Sequence, residues 1–248
     1  MKDIQIYNDR MRKSLMDKIF FIDKVDATVF VDFGCADGSM IKLLNSMFPE
    51  YYYVGYDNNP DMIRLADTNV NSTNAEFYSD WDKLCTNLAL NYEGEKTCLI
   101  LSSVLHEVED KEEFFDFLRL EKFDYIAIRD MMYGEIHTPN FVLNSIYEKI
   151  PQNIKDWFGQ DIWYASNMIQ ALFKSYYPEN IETELKEDYF SFKANHLNIL
   201  QYRYKLQPVY TWHYLLPYWK NTIKSDLGID LSGIRTHIQV IYENPIKF

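Results

Sequence analysis

Between residues 27 and 131 the chain alternates short apolar runs with amphipathic stretches, and this alternation restricts its fold more than any other feature. Residues Ala27 to Asp32 are rich in β-branched and aromatic side chains and read as a buried strand. Met40, Ile41, Leu43, Leu44 and Met47 then recur at helical spacing and stop before Pro49. Tyr51 to Tyr56 is a second strand. Asn59 follows as a natural N-cap, with Pro60 at the first helical position, where its missing N–H costs nothing. Ala75 to Tyr78, Thr97 to Ser102 and Asp124 to Arg129 are three further strands. Asp110 with Glu113 predicts a capping box for a helix through Leu120. Strands separated by helices imply βαβ units and a parallel sheet that takes ligands at the carboxyl ends of its strands.

Outside this stretch the pattern changes. Residues 4–24 have helical periodicity, residues 138–178 read as helical and aromatic-rich, and 193–206 and 213–226 read as further helices, the second broken at Pro217. Ile234 to Tyr242 alternates and predicts a late strand that returns to the same sheet, antiparallel. The expected organisation is one domain: an N-terminal helix (1–26), a ligand-binding core (27–131), a helical cap or insert (132–232) and a return to the sheet (233–248). A length of 248 residues suits that plan, and 47% hydrophobic residues exclude a disordered chain. The formal charge of −12 repels phosphate backbones, so duplex nucleic acid is not expected as a partner. No apolar run approaches the roughly 20 residues that cross a bilayer, so no membrane is expected either. No apolar stretch follows Met1, so no signal peptide is expected. Cys35, Cys85 and Cys98 form no disulfide framework, and a cytoplasmic setting is expected.

The first turn carries the chemistry. It runs from Asp32 through Gly34, Ala36 and Asp37 to Gly38, and lacks the middle glycine of a dinucleotide fingerprint. Asp32 at the strand tip would repel a pyrophosphate. Against a cation about 4 Å away a carboxylate is worth about 1 kcal/mol in water and roughly 4 kcal/mol at an effective dielectric of about 20. The turn therefore suits a ligand with positive charge and no phosphate, such as S-adenosylmethionine. Asp57 ends the second strand, where an acid can accept both ribose hydroxyls. Asp80 and Trp81 follow the third strand, where a carboxylate can take an adenine amino group and an indole can cover the base. Each has a plainer reading: Asp32 as a turn former, Asp57 as a cap on the Asn59–Pro60 helix, Asp80 and Trp81 as structure.

Asp32, Gly34, Gly38, Asp57, Asp80, Trp81 and the run from Leu101 to Val108, in this order, resemble the class I S-adenosylmethionine-dependent methyltransferases, the bacterial small-molecule branch most of all. The resemblance spans residues 27–131. It implies a Rossmann-like, doubly wound α/β fold with a mostly parallel seven-stranded sheet, and S-adenosyl-L-methionine as cofactor. By position, Asp32 and Gly34 line the methionine part, Asp57 takes the ribose, Asp80 with Trp81 takes the adenine, and Ser102 and Ser103 floor the pocket. Gly38 and Asn58 complete the cofactor set. Ala36 replaces a commoner glycine, and is small enough to fit. The implied activity is methyl transfer to a small-molecule acceptor. Alternatives are a methyltransferase acting on tRNA or protein, a non-catalytic binding module, and a nicotinamide-dependent oxidoreductase, which the missing glycine and Asp32 oppose.

His106, just after the fourth strand, is the candidate catalytic residue: either a general base for the acceptor or a pocket-wall histidine bonded to a backbone carbonyl. Arg129, beside Asp130 at the end of the fifth strand, is expected to form an ion pair that shapes the acceptor pocket. No metal is expected, because the histidines lack ligand spacing. Cys35 reads as a small packing residue. Residues 138–178 are expected to form a lid that excludes water from the transfer, with Tyr133 just before it and Trp157 and Trp163 in it as the aromatic side chains that contact the acceptor. If so, amide hydrogen exchange across 138–178 slows when cofactor and an acceptor analogue bind together. Unchanged exchange in a saturated complex would mean that these rings only pack the insert onto the sheet.

Overall fold

The structure, a computed structural model, describes residues 15–131, 194–214 and 237–246. In chain order its elements are α1 (Leu15–Lys18), β1 (Val29–Phe33), α2 (Ser39–Met47), β2 (Tyr52–Tyr56), α3 (Pro60–Val70), β3 (Ala75–Tyr78), α4 (Trp81–Asn91), β4 (Thr97–Ser102), α5 (Lys111–Leu118), β5 (Tyr125–Met131), α6 (Ala194–Tyr202), β6 (Gln207–Tyr214) and β7 (His237–Glu243). Short 3-10 turns at Leu105–Glu107 and Leu120–Lys122 flank α5. The seven strands form one sheet in the order β3-β2-β1-β4-β5-β7-β6. β1 to β5 pair in parallel, while β7 runs antiparallel to both β5 and β6.

Alternation along the strands divides the core into two layers. Val29, Val31, Leu99, Leu101, Ile126 and Ile128 face one side, where Trp81 and Leu84 of α4, Phe115 and Leu118 of α5 and Leu200 of α6 cover them. Phe30, Tyr53, Cys98, Ile100 and Ala127 face the other, against Met40, Ile41 and Leu44 of α2 and the buried Ile19 and Phe21. β4 is buried along its whole length, as expected of a strand covered on both faces. The helices start where the sequence predicts. Asn59 accepts from the Asp61 N–H at 2.9 Å with Pro60 opening α3, and Asp110 accepts from the Glu113 N–H at 2.9 Å at the start of α5.

Three expectations are corrected. The helix predicted over 4–24 is, in its described part, helical only to Lys18, and Ile19 to Lys24 lie in turns. Four successive apolar residues, Ile19 to Ile22, all pack against the sheet layer, which one helix face cannot accommodate. Residues 207–214 form a strand that fills the gap between the helices predicted at 193–206 and 213–226 and takes in the first two residues of the second. The chain therefore rejoins the sheet at Gln207, inside the span expected to be a helical cap. β6 is an edge strand with Pro208 near its start, a register irregularity between Pro208 and Tyr210, and exposed Val209 and Trp212, so its alternation is weak. The remainder of the cap, including the expected lid over 138–178, lies outside the described residues.

Gly38 caps α2 at a left-handed φ of +71°, and a Cβ there would lie 2.9 Å from Val70 Cγ2 and 3.0 Å from Ala66 Cβ. Its missing side chain lets α2 and α3 pack closely. Gly38→Ala combines an unfavourable φ with a steric conflict and is expected to destabilise the fold by more than about 1 kcal/mol. A lower urea midpoint with an unchanged denaturant slope would show it.

Candidate active site

β1 pairs with β2 on one side and β4 on the other, so the chain's crossovers diverge at the carboxyl ends of β1 and β4, where open sheets of this type bind ligands. The turn after β1 occupies this crevice. Gly34, Ala36 and Gly38 all have positive φ, at +77°, +48° and +71°. The N–H groups of Gly34 and Cys35 donate to the Tyr56 carbonyl at 2.8 and 2.9 Å, and that of Gly38 donates to the Cys35 carbonyl at 2.9 Å. The Ala36 N–H donates to Asp57 Oδ2 at 3.1 Å, while Asp57 Oδ1 accepts from the Asn59 N–H at 2.9 Å. Asp37 Oδ1 takes the Ser39 N–H at 3.1 Å. A phosphate-binding turn presents such donors to its ligand; here they point into the protein.

What remains at the surface of the crevice is a polar cleft. It is lined by Leu15 and Lys18 of α1, Asp32 of β1, Gly34 to Asp37, Ser39 and Met40, and Ser102 and Ser103 at the end of β4. Asp32 is buried. Burial raises its carboxyl to about 7, against the opposing pull of the Lys18 ammonium and with a smaller push from Asp57. Lys18 is buried too. Desolvation and the nearby Arg129 guanidinium lower its ammonium to about 8, while Asp32, Asp130 and Asp17 act in the other direction. The Ser102 hydroxyl is buried in the cleft wall with no hydrogen-bond partner. Burial and the neighbouring carboxylates push the Cys35 thiol well up, so it behaves as the packing residue expected.

Beyond Ser103 the chain bends into a second anchored turn. Asp130, wholly buried, accepts from the Val104 and Leu105 N–H groups at 3.0 and 2.7 Å and from His106 Nδ1 at 2.7 Å. His106 thus bonds a carboxylate, which neither of its expected roles included. Burial lowers its imidazole, but the hydrogen bond and charge of Asp130, with help from Glu107, outweigh that and raise it above the usual value. The expected Arg129–Asp130 ion pair is corrected. As consecutive residues of β5 they point to opposite faces. Arg129 Nε instead donates to Asp17 Oδ2 at 2.9 Å and Nη1 to Ser103 Oγ at 2.6 Å.

Other expected residues are placed differently. The Trp81 indole is 3% exposed, donates from Nε1 to the Phe117 carbonyl at 3.1 Å, and packs edge-on against Phe33 and Tyr56. It belongs to the core and cannot cover a base from there. Asp80 caps α4 through the Lys83 N–H at 3.1 Å, with its side chain half-exposed beyond the β3 end. Gly38 serves helix packing rather than the cleft. Asn58 is exposed beside Asp57. Tyr133, Trp157 and Trp163 lie outside the described residues. Reading the sequence alone missed Lys18 and Asp17, which carry no motif and enter the site only because α1 docks there. Among the described residues, no group of three or more His, Cys, Asp or Glu is arranged to hold a metal.

No family model matches the chain, and no curated protein matches it in sequence. Solved structures do. The plantazolicin methyltransferase BamL, in complex with a triazolic desmethylPZN analog and SAH, is similar at 14% identity and a TM-score of 0.55, with 98% of this chain and 90% of that chain covered. A SAM-dependent methyltransferase from Anabaena variabilis ATCC 29413 is similar at 12% identity and a TM-score of 0.52, covering 98% and 96%. Geranyl diphosphate C-methyltransferase from Streptomyces coelicolor A3(2), with Mg2+, geranyl diphosphate and S-adenosyl-L-homocysteine, gives 11% identity, a TM-score of 0.52 and coverage of 98% and 84%. At these identities the likeness shows the fold: the chain has the Rossmann-like fold of class I methyltransferases.

The Asp130–His106 contact has a direct consequence. Asp130→Asn keeps the shape but removes the charge that opposes desolvation, so the His106 imidazole is expected to titrate below about 6.5 rather than above it. An NMR titration of His106 in both proteins tests this, and an unchanged midpoint would show that the pair is not formed.

Proposed function

We propose that this chain transfers a methyl group from S-adenosyl-L-methionine to a small-molecule acceptor. The observation that carries the reading is the first turn, whose N–H groups at Gly34, Cys35, Ala36 and Gly38 are all engaged inward while buried Asp32 lines the cleft. Such a wall suits a cationic, phosphate-free ligand and is poorly matched to a dinucleotide. The similar structures support the same reading: BamL is in complex with a triazolic desmethylPZN analog and SAH, and the geranyl diphosphate enzyme with geranyl diphosphate and S-adenosyl-L-homocysteine.

The cofactor would supply a methyl group already activated on a sulfonium. Asp32, Gly34 and Ser102 would line its methionine end. Asp57, whose oxygens each keep a lone pair after bonding the Ala36 and Asn59 N–H groups, would accept from the ribose with Asn58 beside it. Asp80 would take the adenine amino group. His106 is the candidate base: with Nδ1–H held by Asp130, Nε2 is the atom able to take a proton from an acceptor hydroxyl or amine. Asp130 is then a positioning residue that fixes the tautomer. In the described part no helix is long and apolar enough to cross a membrane, and the three cysteines are unpaired, which supports a cytoplasmic setting.

The test is calorimetry with S-adenosyl-L-homocysteine. The wild-type protein is expected to bind it, and Asp57→Ala to weaken binding by about 1–3 kcal/mol through lost charge-assisted hydrogen bonds and a loosened turn. No binding by folded wild-type protein would overturn the reading.

A further inference from the structure

We infer that Lys18 holds the carboxylate of the ligand's amino-acid end, so that the cleft reads a zwitterion with Asp32 facing the ammonium and Lys18 the carboxylate. The inference rests on the proposed cofactor and adds a residue from outside the strand-and-turn core.

Lys18 is the one cation among the described residues that line the cleft, and it comes from a different element than Asp32, whose carboxyl feels its charge. Both side chains are more than nine-tenths buried. An α-amino acid carries two opposite charges on one carbon, and a wall with one buried acid and one buried base is its electrostatic complement. The Ser102 hydroxyl, buried in the same wall without a partner, adds a neutral donor suited to a carboxylate oxygen. Burial and Arg129 hold the Lys18 ammonium down at about 8, and an arriving carboxylate supplies the negative charge that restores it.

The position of Lys18 is fixed in advance by its neighbour. Asp17 Oδ2 accepts from Arg129 Nε at 2.9 Å and from the Tyr214 hydroxyl at 2.5 Å, and the Asp17 carbonyl accepts from Gln239 Nε2 at 3.0 Å. Strands β5, β6 and β7 thereby clamp α1, and Lys18 is delivered to the cleft at little further ordering cost. A surface lysine would have no such scaffold behind it.

The experiment compares two ligands on the full chain by calorimetry: S-adenosyl-L-homocysteine and its decarboxylated analogue, S-adenosyl-3-thiopropylamine. Wild-type protein is expected to bind the first about ten- to a hundredfold more tightly, the range of a charge-assisted hydrogen bond. Lys18→Met should abolish the preference, so that the two ligands bind about equally, while Lys18→Arg should restore part of it. Equal loss for both ligands, no loss, or tighter binding by the Met variant would each overturn the inference, the last by showing that Lys18 competes with the ligand's ammonium for Asp32. If Lys18→Met does not fold, equal affinity of wild-type protein for the two ligands overturns it alone. Failure of wild-type protein to bind either ligand is a different result, since it removes the proposed function as well.

Discussion

Two carboxylates, one beyond β2 and one in β5, hold the turns on which the cleft is built. Asp57 follows β2, the neighbour of β1, and bonds the Ala36 N–H in the turn after β1. Asp130 lies in β5, the neighbour of β4, and bonds the Val104 and Leu105 N–H groups in the turn after β4. Since β1 and β4 are themselves adjacent, the two turns meet at the one place where the sheet's connections diverge. Each anchor takes backbone donors that would otherwise point outward, at a typical net gain of about 1.5–3 kcal/mol for a charged acceptor. The result is a crevice whose surface is set by side chains and not by amide groups, which is why it differs chemically from a phosphate-binding turn on a similar sheet.

The second anchor also ties a histidine to its turn. By holding His106 Nδ1 with the same carboxylate that ties the chain at Val104 and Leu105, Asp130 links the imidazole's tautomer to the shape of the turn. The neighbouring His237 is buried, and desolvation with Arg129 and His106 drives its imidazole well below the usual range. It is therefore neutral beside a histidine whose proton is favoured. Burial with Arg129 and His106 lowers one imidazole while Asp130 raises the other, so the two are pushed apart in acidity.

Legibility in the sequence followed the physics of each element. β1, β2, β4 and β5 are readable because parallel strands covered on both faces become continuous apolar runs, β3 is a weaker run because it is a half-buried edge strand, and Asn59 and Asp110 are readable because capping is a local effect. β6 was not readable, since Pro208, a bulge and one open edge erase the alternation that marks a strand. The place of Trp81 is illegible for a related reason: its side-chain neighbours Phe33, Tyr56 and Phe123 come from three distant segments, and no spacing near Asp80 shows that the ring turns inward. Arg129 and Asp130 stand out in the sequence, but their partners do not, because strand alternation separates neighbours that look joined in sequence. Asp57 at the second strand end was legible as a polar anchor, though not its bond to Ala36.

The charges inside the molecule explain why the segment before β1 is more than an appendage. Isolated buried ions cost several kcal/mol each, so they occur with partners. Around this cleft the partners come from separate parts of the chain: Arg129 of β5 with Asp17 of α1, His106 after β4 with Asp130 of β5, and Asp32 of β1 in the field of Lys18 of α1. Residues 17 and 18 thus supply the opposing charge for two groups that the 27–131 stretch buries but does not neutralise. An acidic protein with a formal charge of −12 places basic groups where they cannot serve its solubility, beside the strand ends. The α1 segment is therefore part of the site's electrostatics, and the boundary between N-terminal helix and core that the hydrophobic pattern suggests at residue 27 is not a boundary for charge.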